Sequence, residues 1–279
     1  MVVLVLGASG QLGQALQAIA PLYPELVVHF SGSAEADVSD IESLETVVAR
    51  LKPDFCINAA AYTAVDRAES EQEKAFAVNT AGAKNIAEVC KHHDVTLIHV
   101  STDFVFDGSK QAPYTEEDET NPQGVYGLSK RDGEREIESV LKKYFIIRTS
   151  WLYSQFGQNF MKTMLRLAAE RPSLGVVNDQ TGTPTHAIDL AKAILVIIQS
   201  GSNAYGIYHY SNEGETTWYG FAKAIFEVNA IDIIVNPIAT SAYPTPARRP
   251  AYSVLDKSKI RKVFGLSIPH WEDALKNTK

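Results

Sequence analysis

Short, mostly apolar runs alternate along the first half of the chain with stretches whose apolar positions recur every three or four residues. Val2–Leu6 is the first run, and its lack of polar alternation fits a strand buried on both faces of a parallel sheet. Gln11–Ile19 then reads as a helix and Val27–Phe30 as a second strand. Ile41–Leu51 reads as a helix with Ile41, Leu44, Val47, Val48 and Leu51 on one face. Phe55–Asn58, Thr96–Val100 and Tyr144–Arg148 read as further strands, separated by helical segments over Glu69–His92 and from Tyr126 onward. This alternation predicts an α/β fold with a Rossmann-type, doubly wound parallel sheet.

After Trp151 the rhythm loosens. Helices are expected over Phe160–Glu170, Ala187–Gln199 and Trp218–Asn229, with a short strand at Ile207–Tyr210. Pro237, Pro244, Pro246 and Pro250 punctuate an irregular segment before a short C-terminal helix. The expected division is a dinucleotide-binding domain over residues 1–150 and a smaller lobe over 151–279, partly interleaved with the first. No internal repeat or low-complexity tract interrupts the chain.

One helical face is anomalous. Residues four apart share a face, so Tyr126 and Lys130 align with Gly133, Ile137, Val140 and Tyr144 in a stripe that reads as buried. A lysine in such a stripe requires a partner.

Composition narrows the classes of function. The net charge of −7 and the scatter of Lys and Arg argue against nucleic-acid or anionic-membrane binding. The apolar run Ala193–Ile198 falls far short of the roughly 18 residues of a membrane span. The start, Met1-Val2-Val3-Leu4-Val5-Leu6, has no basic leader and reads as a strand. The two cysteines, Cys56 and Cys90, fall in apolar patterns and read as buried thiols, giving no disulfide framework. A cytoplasmic protein is the resulting expectation.

Gly7-Ala8-Ser9-Gly10-Gln11-Leu12-Gly13 follows a buried strand and opens a helix. Backbone amides and the helix dipole at such a place favour a pyrophosphate, and glycine permits close approach. The plain alternative is a tight strand-to-helix turn. The G-x-x-G-x-x-G spacing is similar to that of the short-chain dehydrogenase/reductase superfamily.

At the end of the second strand, where an acid would select NAD, the chain reads His29-Phe30-Ser31-Gly32-Ser33. With neither carboxylate nor arginine there, Ser31 serves either cofactor, with a slight lean to NADPH over NADH. Asp37-Val38 reads either as a helix cap or as an adenine-edge contact. The small residues Ala59-Ala60-Ala61 leave room for a flat cofactor at a strand end. Asn79 either satisfies backbone and water near the lysine or caps a helix break.

The spacing Tyr-x-x-x-Lys occurs twice, at Tyr126/Lys130 and at Tyr219/Lys223. Tyr126 is preferred because it follows a strand ending in Ser101-Thr102-Asp103, within the alternating region. Reduction of a ketone places negative charge on oxygen, which must be stabilised and protonated. A phenol is a poor acid–base group near neutrality, and an ammonium one turn away favours its phenolate. A strand-end hydroxyl supplies a second donor, and Ser101 and Thr102 both qualify.

Three motifs carry a specific resemblance: Ser101-Thr102-Asp103-Phe104-Val105-Phe106-Asp107-Gly108, Val125-Tyr126-Gly127-x-x-Lys130, and Arg148-Thr149-Ser150-Trp151-Leu152-Tyr153. Ala59–Glu69, Asn178-Asp179-Gln180-x-Gly182-x-Pro184-Thr185 and Arg249-Pro250-x-x-Ser253-x-Leu255 add to it. Together they resemble the dTDP-4-dehydrorhamnose reductase family. That resemblance implies NAD(P)H-dependent reduction of the C4 ketone of dTDP-4-dehydro-L-rhamnose. It places the catalytic hydroxyl on Thr102, the acid on Tyr126 and its partner on Lys130. It also implies that Thr63, Val65, Asp103 and Trp151 touch the sugar.

Two departures stand out. Some members dimerise around magnesium held by an acid two places after the third glycine; Ala15 stands there, so no metal is expected and a homodimer is left open. Tyr252 replaces a frequent asparagine. Arg248 and Arg249 read either as partners of the substrate diphosphate or as a solvated basic loop. Lys91-His92-His93-Asp94 reads as a solvated helix end far from other ligand groups.

Other readings are a nucleotide-sugar epimerase or dehydratase, and a cofactor-binding regulatory subunit, since relatives of the family bind methionine adenosyltransferase. Phe104 after Asp103, where dehydratases tend to carry an acid, argues against a dehydratase.

Overall fold

A computed structural model, describing residues 1–278, shows a six-stranded parallel sheet at the centre of the molecule. Its strands are β1 (Val2–Leu6), β2 (Val27–Ser31), β3 (Phe55–Asn58), β4 (Thr96–Thr102), β5 (Tyr144–Thr149) and β6 (Gly206–His209). Their order is β6-β5-β4-β3-β1-β2. The order reverses between β1 and β3, and the crevice outside the carboxyl ends of the strands at such a switch point is where doubly wound sheets hold ligands.

Helices cover both faces, as the unbroken apolar strands require. On one face α1 (Gln11–Ile19) packs with the helix Ala187–Gln199 over Val3, Val5, Ile57, Ile98 and Phe145. On the other, α2 (Ile41–Leu51), α3 (Gly82–His92) and α4 (Val125–Val140) cover Leu4, Leu6, Cys56, Leu97 and Ile146. Asp40 caps α2 by accepting from the Glu42 amide. The helix Ala187–Gln199 and strand β6, both from the second half of the chain, belong to this sheet layer. Both cysteines are buried.

Several boundaries differ from the pattern. β4 runs on to Thr102 because hydrogen-bonded pairing with β5 continues past the apolar run. Tyr144 leaves the α4 stripe, since the helix ends at Val140 and the chain turns into β5; Leu141 is buried instead. The segment before α3 is broken, and Ala77–Ala81 forms a π-helical turn.

A second core gathers Tyr153, Met161, Met164, Phe221, Trp271 and Leu275 beside the sheet. Here Ser173–Val177 pairs in parallel with Ile234–Ile238, a ladder absent from the sequence reading. Pro237 lies within that second strand, in a two-stranded sheet where its missing N–H can face outward. Among the described residues no helix is long and apolar enough to cross a membrane.

Candidate active site

The glycine loop is built by contact as much as by conformation. Gly7 has φ +78°, and a Cβ there would stand 2.5 Å from the Ala60 nitrogen. A Cβ on Gly13 would meet the Gly7 carbonyl oxygen at 2.5 Å. The N-cap of α1 is Gly10, which brings no side-chain cap, and the first turn contains no acid. These features suit an anionic group lying against the first-turn amides, so the loop fits a dinucleotide.

The cleft above the loop, of about 640 Å³, brings Gly10, Gln11 and Leu12 together with Ala59, Ala61, Thr63 and Val65. Its other walls carry Thr102, Asp103, Tyr126, Lys130, Trp151 and Arg249. Gly7, Gly13 and Ala60 are not part of that lining, and Gly7 packs closely on Ala60 and Gly13 on Gly7. Gln11 also ties the loop to the second half of the chain: its Nε2 donates to the Leu152 carbonyl at 3.2 Å, and its Oε1 accepts from Ser154 Oγ and Asn159 Nδ2 at 2.9 and 3.0 Å.

Ser31, Asp37, Val38 and Asn79 stand outside this wall. Ser31 is buried and its hydroxyl donates to Glu35 at 2.9 Å, while Glu35 pairs with Arg50. The loop after β2 therefore turns Glu35, just past the residues His29–Ser33, back onto the strand end, and folding adds the Arg50 guanidinium from α2. Arg50 and the Ser31 hydroxyl hold the Glu35 carboxyl below its usual range.

Asp37 does not cap α2; it accepts from the Ser39 amide and hydroxyl at 2.9 and 2.7 Å. The Asn79 amide accepts from the Tyr62 N–H at 2.9 Å and donates to the Tyr62 carbonyl and Ser129 Oγ at 3.1 and 3.0 Å. It is a buried clamp that satisfies backbone groups of Tyr62 and holds the residue next to Lys130, which agrees with the first of the two readings rather than with a helix cap.

Tyr126 and Lys130 sit in the first turns of α4, against the end of β4. A close approach permits this: a Cβ on Gly127 would stand 2.2 Å from the Phe104 carbonyl oxygen. Burial pushes the Tyr126 phenol up to about 12; the Thr102 hydroxyl pulls it down and Asp103 pushes it further up. Lys130 is 2% exposed, and burial pushes its amine down to about 8 against an upward pull from Glu134. Its Nζ donates to the Val100 carbonyl at 2.7 Å and lies 3.2 Å from His99 Nε2. The amine is thus directed at the strand. Asp103 is buried, and burial pushes its carboxyl up to about 6 against hydrogen bonds from Ser253 and Thr102.

The buried lysine has a polar neighbour that periodicity did not reveal. Glu134, one turn further along α4 and 2% exposed, accepts from Arg148 Nε and Nη2 at 3.0 and 2.7 Å and from the Ser101 hydroxyl. Ser101 and Arg148 face each other across the β4–β5 pairing. The Ser101 hydroxyl is therefore engaged by Glu134 and that of Thr102 donates to Asp103 at 3.1 Å, while both residues line the cleft. His99, Asn58, Glu134 and Trp218 were not singled out from the sequence; two polar residues inside apolar strands, at Asn58 and His99, were the available signal.

Trp151 has φ +45° and stacks on Trp218 with ring centroids 3.5 Å apart and planes 9° from parallel. Arg249 is bidentate to Asp66 at 2.8 and 3.0 Å, so its charge is engaged, while Arg248 is exposed. Tyr219 packs in the second core, with Lys223 Nζ 5.5 Å from its ring centroid, away from the cleft. Ala15 of α1 is fully buried in the core that α1 shares with the helix Ala187–Gln199. Away from the cleft, His92 and His93 are not merely solvated: Glu45 of α2 meets both, at 2.9 and 2.6 Å.

Residues 1–278 match the family model described as RmlD substrate binding domain. A dTDP-4-dehydrorhamnose reductase of Sinorhizobium fredii is 43% identical over 97% of this chain and 94% of its own. One from Escherichia coli K12 is 41% identical over 99% and 96%. A crystal structure of the Clostridium acetobutylicum reductase superposes with a TM-score of 0.95 at 38% identity, covering 100% of this chain and 98% of that one. The Bacillus anthracis reductase, solved in complex with NADP, gives 0.95 at 39% identity over 99% and 98%. Sequence and architecture agree along the whole length, and the chain belongs to the dTDP-4-dehydrorhamnose reductase family of NAD(P)H-dependent oxidoreductases.

Proposed function

We propose that the protein reduces the C4 ketone of dTDP-4-dehydro-L-rhamnose to dTDP-L-rhamnose with NADPH or NADH, leaning to NADPH. The supporting observation is one cleft lined by the glycine-loop residues Gly10, Gln11 and Leu12 and by Thr102, Tyr126 and Lys130. A reduced nicotinamide supplies the hydride, and the remaining work falls to side chains of this chain.

Thr102 hydrogen-bonds the ketone oxygen as charge develops on it. Tyr126, kept protonated near neutrality by burial, donates its phenolic proton to that oxygen. Lys130 favours the phenolate left behind and holds the ribose hydroxyls. Thr63, Val65, Asp103 and Trp151 contact the sugar, and Arg249 lies toward its diphosphate. Residues 1–150 mainly hold the dinucleotide and 151–279 mainly the sugar nucleotide, with Gln11 bridging the two.

Incubation of pure protein with the 4-keto sugar nucleotide and NADPH tests the reading. The expected result is loss of reduced-nicotinamide absorbance with formation of the rhamnosyl nucleotide. An unchanged absorbance with either cofactor would overturn it.

A further inference from the structure

Asn58 and His99 are directly paired neighbours on β3 and β4, 3% and 1% exposed, on the sheet face that α4 covers. The Asn58 carboxamide has one orientation here, because its Oδ1 accepts from the Ala60 amide at 3.0 Å. Its Nδ2 therefore faces His99 Nδ1, 3.0 Å away. An amide nitrogen can only donate, so Nδ1 must accept. A ring buried this deeply is neutral, and burial followed by the proximity of Lys130 pushes its pKa well below the ordinary value. Its single proton then resides on Nε2, which is the nitrogen 3.2 Å from Lys130 Nζ.

An ammonium has no lone pair to offer a ring N–H, whereas a neutral amine accepts it. We infer that Asn58 and His99 form a tautomer lock that governs the proton on Lys130, and are positioning residues for the Tyr126–Lys130 pair. The inference rests on the catalytic reading above and deepens it.

The surroundings of Lys130 leave that role to the lock. On its own helix stand Tyr126, which is neutral, and Glu134, whose carboxylate is shared with Arg148 of β5 and Ser101. From β4 and its end come His99, the Val100 carbonyl and Asp103. The turn over 77–81 contributes only the uncharged Asn79 and Thr80.

In the reaction, Tyr126 gives its proton to the alkoxide oxygen, breaking the phenol O–H and forming the alcohol O–H. The Lys130 ammonium can then return a proton to the phenolate, becoming an amine whose lone pair accepts the His99 Nε2–H. Solvent reprotonates that amine after product leaves. The lock stabilises the deprotonated lysine and so eases that return.

Nitrogen NMR of the ¹⁵N-histidine-labelled full chain reads the tautomer. His99 is expected to be protonated on Nε2; a proton on Nδ1 would overturn the inference. Asn58→Asp keeps the acceptor for the Ala60 amide and turns the other atom into an acceptor, so the ring proton should move to Nδ1 and leave Nε2 to accept from the ammonium. The titration midpoint of Lys130, followed by its ε-carbon resonance, should then rise by about 1–3 units, with the alkaline limb of kcat/KM moving the same way. A variant whose ring proton moves while the Lys130 midpoint stays fixed would equally sink the proposal. His99→Gln, which offers the ammonium an acceptor, should raise the midpoint too, and an unchanged midpoint there also counts against the lock. Absence of turnover in the parent protein would instead fault the catalytic reading, leaving the NMR measurements to judge the lock.

Discussion

The indole rings of Trp151 and Trp218 lie face to face, 3.5 Å between centroids, and join the end of the Rossmann-type sheet to the second core. Trp151 holds this position with a left-handed backbone at φ +45°, a conformation costing about 1–3 kcal/mol in a residue other than glycine. Gly182 makes room for it, since a Cβ there would stand 2.5 Å from the ring. Removing the stack with Trp218→Ala should forfeit about 0.5–1.5 kcal/mol. The KM for the nucleotide sugar should accordingly rise by about three- to tenfold, with NADPH affinity unchanged. Steady-state kinetics alongside cofactor titration would check this; equal weakening of both ligands would contradict it.

Tyr126→Phe removes the phenolic proton while keeping the ring against Phe104, its edge-to-face neighbour at 5.6 Å. Turnover should fall by at least about 100-fold, the scale of general acid catalysis, with cofactor binding retained. Tyr219→Phe, in the second core, should leave turnover nearly unchanged. Equal losses in the two variants would reverse the assignment.

Asp103 couples the site to pH. Its carboxyl rises from 3.8 to about 6 on folding, chiefly by burial. The folded state therefore binds the proton more tightly, so the stability it contributes is full below about 3.8 and is lost as pH rises through about 6. Asp103→Asn removes this titration. Relative to the parent, the variant should gain about 3 kcal/mol of unfolding free energy between about pH 3.5 and about pH 7. Urea denaturation at several pH values measures it; parallel curves would refute it.

Glu134 is the counter-charge of a buried guanidinium. Glu134→Gln leaves Arg148 without it and should cost about 3–5 kcal/mol. Replacing both partners, Glu134→Leu with Arg148→Met, should recover most of that loss. The comparison of urea midpoints is decisive, because a double variant as unstable as the single one would mean that the pair itself stabilises the fold.

Much of this was legible in the residues. The apolar runs located the sheet strands because a strand buried on both faces leaves little choice of side chain, and a lysine where a hydrophobic residue belonged marked the site. Charges meeting across the fold were less legible. Glu35 reaches Ser31 from the following loop and is met there by Arg50 of α2, and Glu134 reads as an ordinary helical glutamate until Arg148 is set beside it. The Ser173–Val177 and Ile234–Ile238 pair escaped because Pro237 and the intervening helices obscure a pairing fixed only by tertiary contact. The choice of Thr102 over Ser101 rests on resemblance alone, because both residues line the cleft and each hydroxyl donates to a carboxylate, Ser101 to Glu134 and Thr102 to Asp103.

The π-helical turn at Ala77–Ala81 has a consequence for the tolerance of this chain to changes in length. Asn79 lies inside that wider turn, clamped between Tyr62 and Ser129. Deleting one residue from it would restore regular winding but rotate the preceding residues by about 100° relative to α3. Tyr62 and Ser129 could not then both be reached. The register of a single turn thus makes a one-residue deletion a disruption carried directly to the residue beside Lys130.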